Sequence, residues 1–244
     1  MRPNICAIVP METSEVERNA VLDAIEKLGA RRKELITVPM AAAIGSGVDV
    51  MEASGHMIID IGGGTTEIAI ISSGDVAIGE SMKLGGDDFT EALSRYVRRK
   101  YTVLLGDLSA EDAKIEVGSV RERKNDIKCE IKGRNIMNGL PIKIELTANE
   151  TVSALSELAN QIADKALSII DRADPELISD IIEEGIMLSG GGSLIYGMDK
   201  IISERTGMKV IHSSEPINVI AAGAGMAGEY ISYLEAEKRQ NDID

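Results

Sequence analysis

Three successive glycines between two apolar stretches constrain this chain more than any other feature. The glycines at residues 62–64 follow the apolar residues 57–59 and precede the apolar residues 68–71, so the pattern predicts a strand, a tight turn and a second strand. Because glycine has no Cβ atom, successive backbone N–H groups can close around an anion, and Thr65 adds a hydroxyl donor. We therefore expect a turn that binds the terminal phosphates of a nucleotide, with a plain tight hairpin as the alternative.

Asp60 stands at the end of the first of these strands. Its carboxylate could hold a hydrated Mg²⁺ ion through water, because hard cations prefer oxygen ligands. The glycine run is not a P-loop, since no Lys-Ser/Thr pair follows it, and it is not a dinucleotide fingerprint, since a strand rather than a helix comes next. A second glycine triplet at residues 190–192 also follows an apolar strand candidate, and this recurrence favours a shared function for the two turns.

Composition narrows the classes of function that the chain can have. The 244 residues carry a formal net charge of −14, which disfavours a broad nucleic-acid or anionic-lipid surface. Aromatic residues make up 2% and Trp is absent, so we expect an aliphatic core and no base-stacking platform. Cys6 and Cys129 lie far apart, show no metal-ligand spacing and are expected to be free thiols in the cytoplasm. The sequence contains no run of about 18 apolar residues, so it predicts no membrane span.

Hydrophobic periodicity predicts an α/β organisation. Capping boxes that begin at Ser14 and Thr147 predict the starts of two amphipathic helices. Residues 106–150 are more polar than their surroundings, and two alternating runs at residues 127–131 and 142–146 predict a long hairpin there. We interpret this stretch as a small α+β insertion.

Five segments, in this order along the chain, resemble the bacterial rod-shape-determining MreB family and its Mbl paralogues, which belong to the actin-like ATPase superfamily. The segments are Val38–Gly47, Ile59–Glu67, Tyr96–Tyr101, Lys132–Pro141 and Leu188–Gly192. Together they extend over nearly the whole chain, and the combination is specific. The resemblance implies an α/β, ribonuclease H-like fold in which two domains flank a nucleotide cleft.

The resemblance also implies how the chain divides. Residues 1–55 would be a remnant of domain I (subdomain IA). Residues 56–105 and 151–215 would form the core of domain II (subdomain IIA), and residues 106–150 the inserted subdomain IIB. Residues 216–244 would form a C-terminal helix that packs back toward domain I.

Carried over position by position, the resemblance assigns an ATP and Mg²⁺ site. The assigned residues are Asp60 beside Mg²⁺ held through water, Gly62, Gly63, Gly64 and Thr65 in the second phosphate loop, Glu111 and Lys114 at ribose and adenine, and Gly190, Gly191, Gly192 and Ser193 in the adenosine loop. Thr65 would also help to place the attacking water. Glu111 and Lys114 lie one helical turn apart. Without the resemblance, they would be interpreted as a solvated ion pair that contributes little to stability.

Two departures from the family bear on hydrolysis. The family usually has Glu immediately before its Pro-Met/Phe-Ala-Ala-Ala stretch, where the carboxylate positions the attacking water. This chain has Val38 there, which can neither orient water nor accept a proton. Family members also begin with a phosphate loop of the form Asp-x-Gly-Thr-x-Asn/Thr, which this sequence lacks, so we expect one side of the cleft to be incomplete. Hydrolysis should be weak or lost, because removing one acid/base group typically costs about 10²–10⁴ in rate.

The expected function is that of an ATP-binding, filament-forming cytoskeletal protein involved in cell shape and the organisation of cell-wall synthesis. The implied partners are further copies of the chain or a full-length MreB paralogue, together with the cell-wall elongation machinery, and no nucleic acid. Peripheral membrane association is compatible with the family but has no support in this segment. One alternative is a fragment that binds no nucleotide and interacts with full-length filaments. The other is an Hsp70-like or sugar-kinase-like enzyme on the same fold.

Overall fold

The computed structural model describes residues 2–228. In chain order its elements are β1 (Asn4–Val9), α1 (Glu15–Lys27), β2 (Arg32–Thr37), α2 (Val38–Gly45), β3 (His56–Ile61), β4 (Thr66–Ser72), β5 (Asp75–Met82), α3 (Gly86–Tyr101), β6 (Val103–Leu104), α4 (Asp107–Val117), β7 (Lys128–Asn135), β8 (Pro141–Thr147), α5 (Ala148–Ile170), α6 (Pro175–Glu184), β9 (Ile186–Ser189), α7 (Met198–Thr206) and β10 (Val210–His212). A short 3₁₀ turn, Gly191–Leu194, follows β9. No helix within residues 2–228 is long and apolar enough to cross a bilayer.

A five-stranded mixed sheet with the order β10-β9-β3-β4-β5 forms the centre of the molecule. Strand β3 pairs in parallel with β9 and antiparallel with β4, and all six of its residues are buried. Ile59 and Ile61 join a large core with α3 and α5, whereas Ile58 on the opposite face joins a smaller core with α2. Helices therefore cover both faces of the sheet, which explains why β3 is apolar on both sides.

The predicted insertion folds as a separate small sheet. Strands β7 and β8 form the long antiparallel hairpin expected from the alternating runs, and β6 adds a third strand beside β7. Helix α4 lies beside β7 of this small sheet. Its residues Ala110, Ala113 and Val117 are buried in the large core. The hairpin prediction is confirmed, and the assignment of residues 106–150 to a subdomain remains a prediction.

Both predicted capping boxes are present. The Glu17 N–H donates to the Ser14 hydroxyl over 3.3 Å, and the Ser14 N–H donates back to the Glu17 carboxylate over 2.9 Å. Thr147 and Glu150 repeat the arrangement at the start of α5. These reciprocal bonds satisfy two amides that a helix start leaves without partners, so the local sequence alone fixes where α1 and α5 begin.

The first two strands, β1 and β2, form a parallel pair connected by α1. Helix α2 begins at Val38, with Pro39 in its first turn. The Pro39 ring already adopts helical φ and needs no N–H partner in a first turn. The terminal helical segment comprises residues 219–228. Its predicted start near residue 216 is a turn instead, and the predicted continuation to residue 244 lies outside the described residues.

Helix α2 and the terminal helical segment cross with their backbones in direct contact. A Cβ atom on Gly45 would lie 2.0 Å from the Val219 carbonyl oxygen, and one on Gly223 would lie 1.8 Å from the Ala41 carbonyl oxygen. Neither distance is sterically possible, so glycine is required at both positions. The small residues in the two segments permit an approach that no larger side chain allows.

We predict that Gly223→Ala destabilises the chain and that Gly225→Ala does not. The first substitution forces the two helices apart, which should cost about 1–3 kcal/mol of unfolding free energy. A Cβ atom on Gly225 meets nothing within 4 Å, and replacing a helical glycine with alanine typically stabilises by about 0.5–1 kcal/mol. Urea unfolding of both variants measures the difference. Equal midpoints for the two variants would contradict the close crossing.

Candidate functional site

The turn between β3 and β4 is held on its carbonyl side by the first turn of α3. The Gly62 N–H donates to the Thr65 carbonyl over 2.9 Å and closes the turn. The Gly86 N–H donates to the Gly62 carbonyl, and the Asp87 N–H donates to the Gly63 carbonyl, each over 2.8 Å. With both carbonyls engaged by the helix, the turn has a fixed orientation relative to α3.

The amide side of the same turn has no partner within the part of the chain that the structure describes. Among residues 2–228, no group accepts a hydrogen bond from the N–H of Gly63 or Gly64. Both residues are exposed, and a Cβ atom on Gly64 would meet nothing within 4 Å. Two successive amide donors at an open turn form a concave site suited to a phosphate or another anion. In a plain hairpin these exposed amides would bind water instead.

The second glycine triplet lies directly beside the first. A Cβ atom on Gly190 would lie 2.2 Å from the Ile61 carbonyl oxygen, and one on Gly192 would lie 2.3 Å from Ile61 Cγ2. Ile61 immediately precedes Gly62, and the parallel pairing of β3 with β9 brings both turns to the same edge of the sheet. Two turns that are far apart in the sequence therefore share one location, as the sequence analysis predicted.

Within the second turn, only part of the backbone is open to a ligand. Ser193 is 1% exposed, and its hydroxyl donates to the Gly190 carbonyl over 2.6 Å. This side chain closes the turn internally. Gly191 is exposed, and a Cβ atom there would meet nothing within 4 Å, so it is the residue of the predicted adenosine loop with the most space around it.

Glu111 and Lys114 are not a solvated ion pair on the surface. Lys114 is 8% exposed, its ammonium lies 2.7 Å from the Glu111 carboxylate, and it donates to the Gly86 carbonyl over 3.0 Å. Burial disfavours ionisation of Glu111, but hydrogen bonds from Lys114 and Thr90 outweigh it and hold the pKa of this carboxyl below its usual range. Because Gly86 also bonds to Gly62, the pair is connected to the first glycine turn through a single residue.

Asp60 is buried next to both turns. It is 3% exposed and accepts a hydrogen bond from the Ser189 hydroxyl over 2.7 Å. Burial raises the pKa of Asp60 to about 6; the bond from Ser189 opposes this shift and the charge of Glu67 adds to it. The second carboxylate oxygen, Oδ2, lies 3.9 Å from the position that a Cβ atom on Gly62 would occupy. An Asp in this place could hold a hydrated cation near the first turn.

Asp60 belongs to a row of polar residues across four strands that no local sequence pattern predicted. Ser189, Asp60, Glu67 and Ser81 are register partners on β9, β3, β4 and β5. Glu67 is 1% exposed and accepts from the Ser81 hydroxyl over 2.7 Å and from the Met11 N–H over 3.3 Å. Isolated polar residues in apolar strands were the available signal, but the register that aligns them is not visible in the sequence.

Val38 occupies the first position of α2, and its preceding residue, Thr37, makes no side-chain capping bond. The side chain of Val38 is partly exposed and offers no oxygen to a water molecule. The absence of a carboxylate at this position follows from the sequence, and the structure adds that the position is a helix start.

The sheet with its two adjoining glycine turns has the architecture of an actin-like ATPase. The chain superimposes with a TM-score of 0.90 on MreB5 of Spiroplasma citri bound to AMPPNP, at 31% sequence identity and with coverage of 96% of this chain and 71% of that chain. The same protein bound to ADP gives a TM-score of 0.88 at 32% identity and coverage of 93% and 69%. The predicted fold class is therefore confirmed.

Sequence comparison defines the family more closely. The family model described as MreB/Mbl protein matches residues 1–236. The cell shape-determining protein MreB of Escherichia coli K12 is 42% identical over 229 residues, which cover 94% of this chain and 66% of that protein. The cell shape-determining protein Mbl of Bacillus cereus is 37% identical over 233 residues, with coverage of 96% and 70%. The chain belongs to the MreB/Mbl family and spans about two thirds of the length of these relatives.

We predict that Asp60→Asn stabilises the fold at neutral pH. The pKa of about 6 in the folded chain exceeds the ordinary carboxyl value of about 3.9 expected in the unfolded chain. The folded state therefore binds the proton more tightly, and stability falls as pH rises from about 4 to about 6. Removing the carboxylate should restore about 2–3 kcal/mol at pH 7.5 and little near pH 4.

Urea unfolding at several pH values measures this effect. The matched control is Asp112→Asn, because Asp112 is exposed on α4 and its removal changes the charge equally. A stability gain that is independent of pH, or equal in both variants, would show that burial of Asp60 is not its cause.

Proposed function

We propose that this chain binds ATP with Mg²⁺ at the two adjoining glycine turns and contributes to filaments that determine cell shape. The observation that carries the proposal is the contact of Gly190 and Gly192 with Ile61, which brings both turns to one edge of the sheet. The unpaired amides of Gly63 and Gly64 and the nucleotides named in the MreB5 structures support it.

Each group of residues has a distinct role in the proposed site. The amides of Gly63 and Gly64 and the Thr65 hydroxyl would donate to the terminal phosphates, because open amide donors match anionic oxygens. Gly62 would shape this loop, since its own N–H closes the turn on the Thr65 carbonyl. Asp60 would hold Mg²⁺ through water, since Mg²⁺ usually keeps several of its water ligands. The metal would supply charge neutralisation at the phosphates.

The nucleoside end of the site would be formed by α4 and the second glycine turn. Glu111 is half-buried and ionised, with its pKa held low, so it can accept hydrogen bonds from ribose hydroxyls. Lys114 is already bonded to Gly86 and Glu111, so we propose that it mainly positions Glu111. The second glycine turn, residues 190–192, would lie against the adenosine through the exposed backbone of Gly191. Gly190 and Gly192 would hold this turn against Ile61, and Ser193 would close it.

Hydrolysis at this site should be slow. Val38 cannot orient or deprotonate water, and the Thr65 hydroxyl is the remaining group proposed to help place it. The family uses the nucleotide to regulate assembly rather than to make a product, so slow turnover is compatible with a structural role. Filament partners would be further copies of the chain or a full-length family member in the cytoplasm, with the cell-wall elongation machinery acting beside them.

The subdivision of the chain is part of the same proposal. Residues 1–55 carry β1, β2 and α2 and would correspond to part of domain I. Residues 56–105 and 151–215 carry the five-stranded sheet and would form the core of domain II, with residues 106–150 inserted into it. The terminal helical segment contacts α2 through Gly223, which supports its assignment to the domain I side.

We predict that Gly64→Ala weakens ATP binding without destabilising the fold. The added methyl group meets no protein atom but occupies the space beside the two free amides. Calorimetric titration with Mg²⁺ and ATP should show a dissociation constant at least about tenfold higher, equivalent to about 1.4 kcal/mol. Gly225→Ala, which also meets no protein atom, is the control and should leave affinity unchanged.

Pelleting of the same proteins, alone and with a full-length relative, extends this test to assembly. The proposal expects parent and Gly225→Ala to pellet by themselves when ATP is present, and Gly64→Ala to need more ATP. Pelleting only with the full-length relative, together with no ATP binding at millimolar concentration, would instead support the alternative of a fragment that interacts with filaments.

We predict that Val38→Glu raises the ATP hydrolysis rate of the chain. A carboxylate at the start of α2 restores the group type that relatives use to position water, a contribution of about 10²–10⁴ in rate. Phosphate release by purified parent and variant measures it, with Val38→Gln as a control that has similar size but cannot act as a base. Fast turnover by the parent would overturn the proposal of slow hydrolysis.

A further inference from the structure

Arg123, in the loop between α4 and β7, is a cation without an acidic partner in the described part of the chain. Its guanidinium carbon lies 4.0 Å from the centre of the Tyr196 ring. Among residues 2–228, no carboxylate lies within ion-pair distance of Arg123, and its Nε is buried without a hydrogen-bond partner. Arginine offers five donors in a rigid fork, and Arg123 is partly exposed, so its two terminal NH₂ groups retain unused capacity for an oxyanion although Nε is covered.

The backbone of Arg123 is held in place from α5. The Arg123 N–H donates to Asn149 Oδ1 over 2.7 Å, and Asn149 Nδ2 donates to the Arg123 carbonyl over 3.2 Å. Asn149 is itself fixed, because its N–H donates to the Asp126 carboxylate over 3.0 Å. Arg123 is thus held at its backbone by Asn149 and at its guanidinium by stacking on Tyr196. A group that is ordered before binding loses less conformational entropy when a ligand arrives.

Other cations surround the same position. A cavity of about 480 Å³ is lined by Arg123, Lys124, Tyr196 and Lys200, and the Lys200 ammonium lies 5.4 Å from the Tyr196 ring centre. Neither lysine has an ion-pair partner among the described residues, while Arg121 is paired with Glu204. On a chain with a net charge of −14, this local excess of positive charge attracts acidic ligands.

A second cavity continues the first along α5 and α7. Its volume is about 550 Å³, it shares Arg121, Glu122 and Glu204 with the first cavity, and it adds apolar lining from Val152 and Ile201. We call the two cavities together the α5–α7 groove. A single small anion would occupy only one end of this groove, whereas a peptide could reach both the cationic end and the small apolar area of Val152 and Ile201 in the otherwise polar second cavity.

We propose that the α5–α7 groove binds a segment of a partner protein that presents an Asp or Glu carboxylate to Arg123. An apolar side chain of the same segment would pack on Val152 and Ile201. Arginine and tyrosine dominate the binding energy of many protein interfaces, and here they are stacked on each other. The acidic residues Glu122 and Glu204 at the junction of the cavities would repel a free polyanion, which favours a segment with one or two carboxylates.

The test is a selection of peptides from a random twelve-residue display library against the whole chain. We expect the selected peptides to be enriched in Asp or Glu beside an apolar residue, and to bind Arg123→Ala at least about thirtyfold more weakly than the parent. Arg99→Ala, which removes an exposed arginine from α3, is the charge-matched control and should bind like the parent. Arg123→Lys should restore only part of the affinity, because lysine lacks the fork.

Several outcomes would overturn the proposal. One is that the selected peptides lack acidic residues, and another is that Arg123→Ala and Arg99→Ala lose peptide affinity equally. A third is that inorganic phosphate at millimolar concentration displaces the peptides, which would assign the site to a free anion. Urea unfolding of each variant in parallel distinguishes lost binding from lost folding. The selection is independent of ATP, so its result does not depend on the function proposed above.

Discussion

The hydrogen bonds from the first turn of α3 to the carbonyls of Gly62 and Gly63 are the constraint on which the candidate site depends. By engaging the carbonyl side of the turn, they leave the amides of Gly63 and Gly64 facing outward as donors. The contact is close, since a Cβ atom on Gly85 would lie 2.4 Å from the Gly63 carbonyl oxygen. Lys114 then ties α4 to the same helix start through the Gly86 carbonyl, so the groups proposed to bind phosphate and nucleoside share one support.

The buried row of polar residues lowers the stability of the folded chain. Asp60 and Glu67 stand opposite each other on adjacent strands, where like charges are unfavourable. Hydrogen bonds from Ser189 and Ser81 offset part of this cost, and the bond from the Met11 amide to Glu67 connects the row to the turn after β1. Polar groups buried within an otherwise apolar sheet are common where a structure retains charge for function.

Much of the fold was predictable from local patterns. The capping boxes at Ser14 and Thr147, the hairpin of β7 and β8 and the strand–turn–strand around the first glycine triplet all depend on neighbouring residues, so the sequence is enough to place them. The predicted start of the C-terminal helix at residue 216 was wrong, because residues 216–218 form a turn and the helical segment begins at residue 219. The family resemblance was also predictable, because its five segments are specific in combination.

The sequence by itself determined which residues could bind a nucleotide and that Val38 replaces the usual carboxylate, because residue chemistry and motif order are local properties. Only the tertiary structure decided that the two glycine turns meet at Ile61, that Lys114 is buried against Gly86, and that Arg123 has no acidic partner within residues 2–228. These facts depend on parallel pairing of β3 with β9 and on packing between α3, α4 and α5, elements separated by many residues. Strand register and helix packing arise from contacts across the whole chain, and no local pattern encodes them.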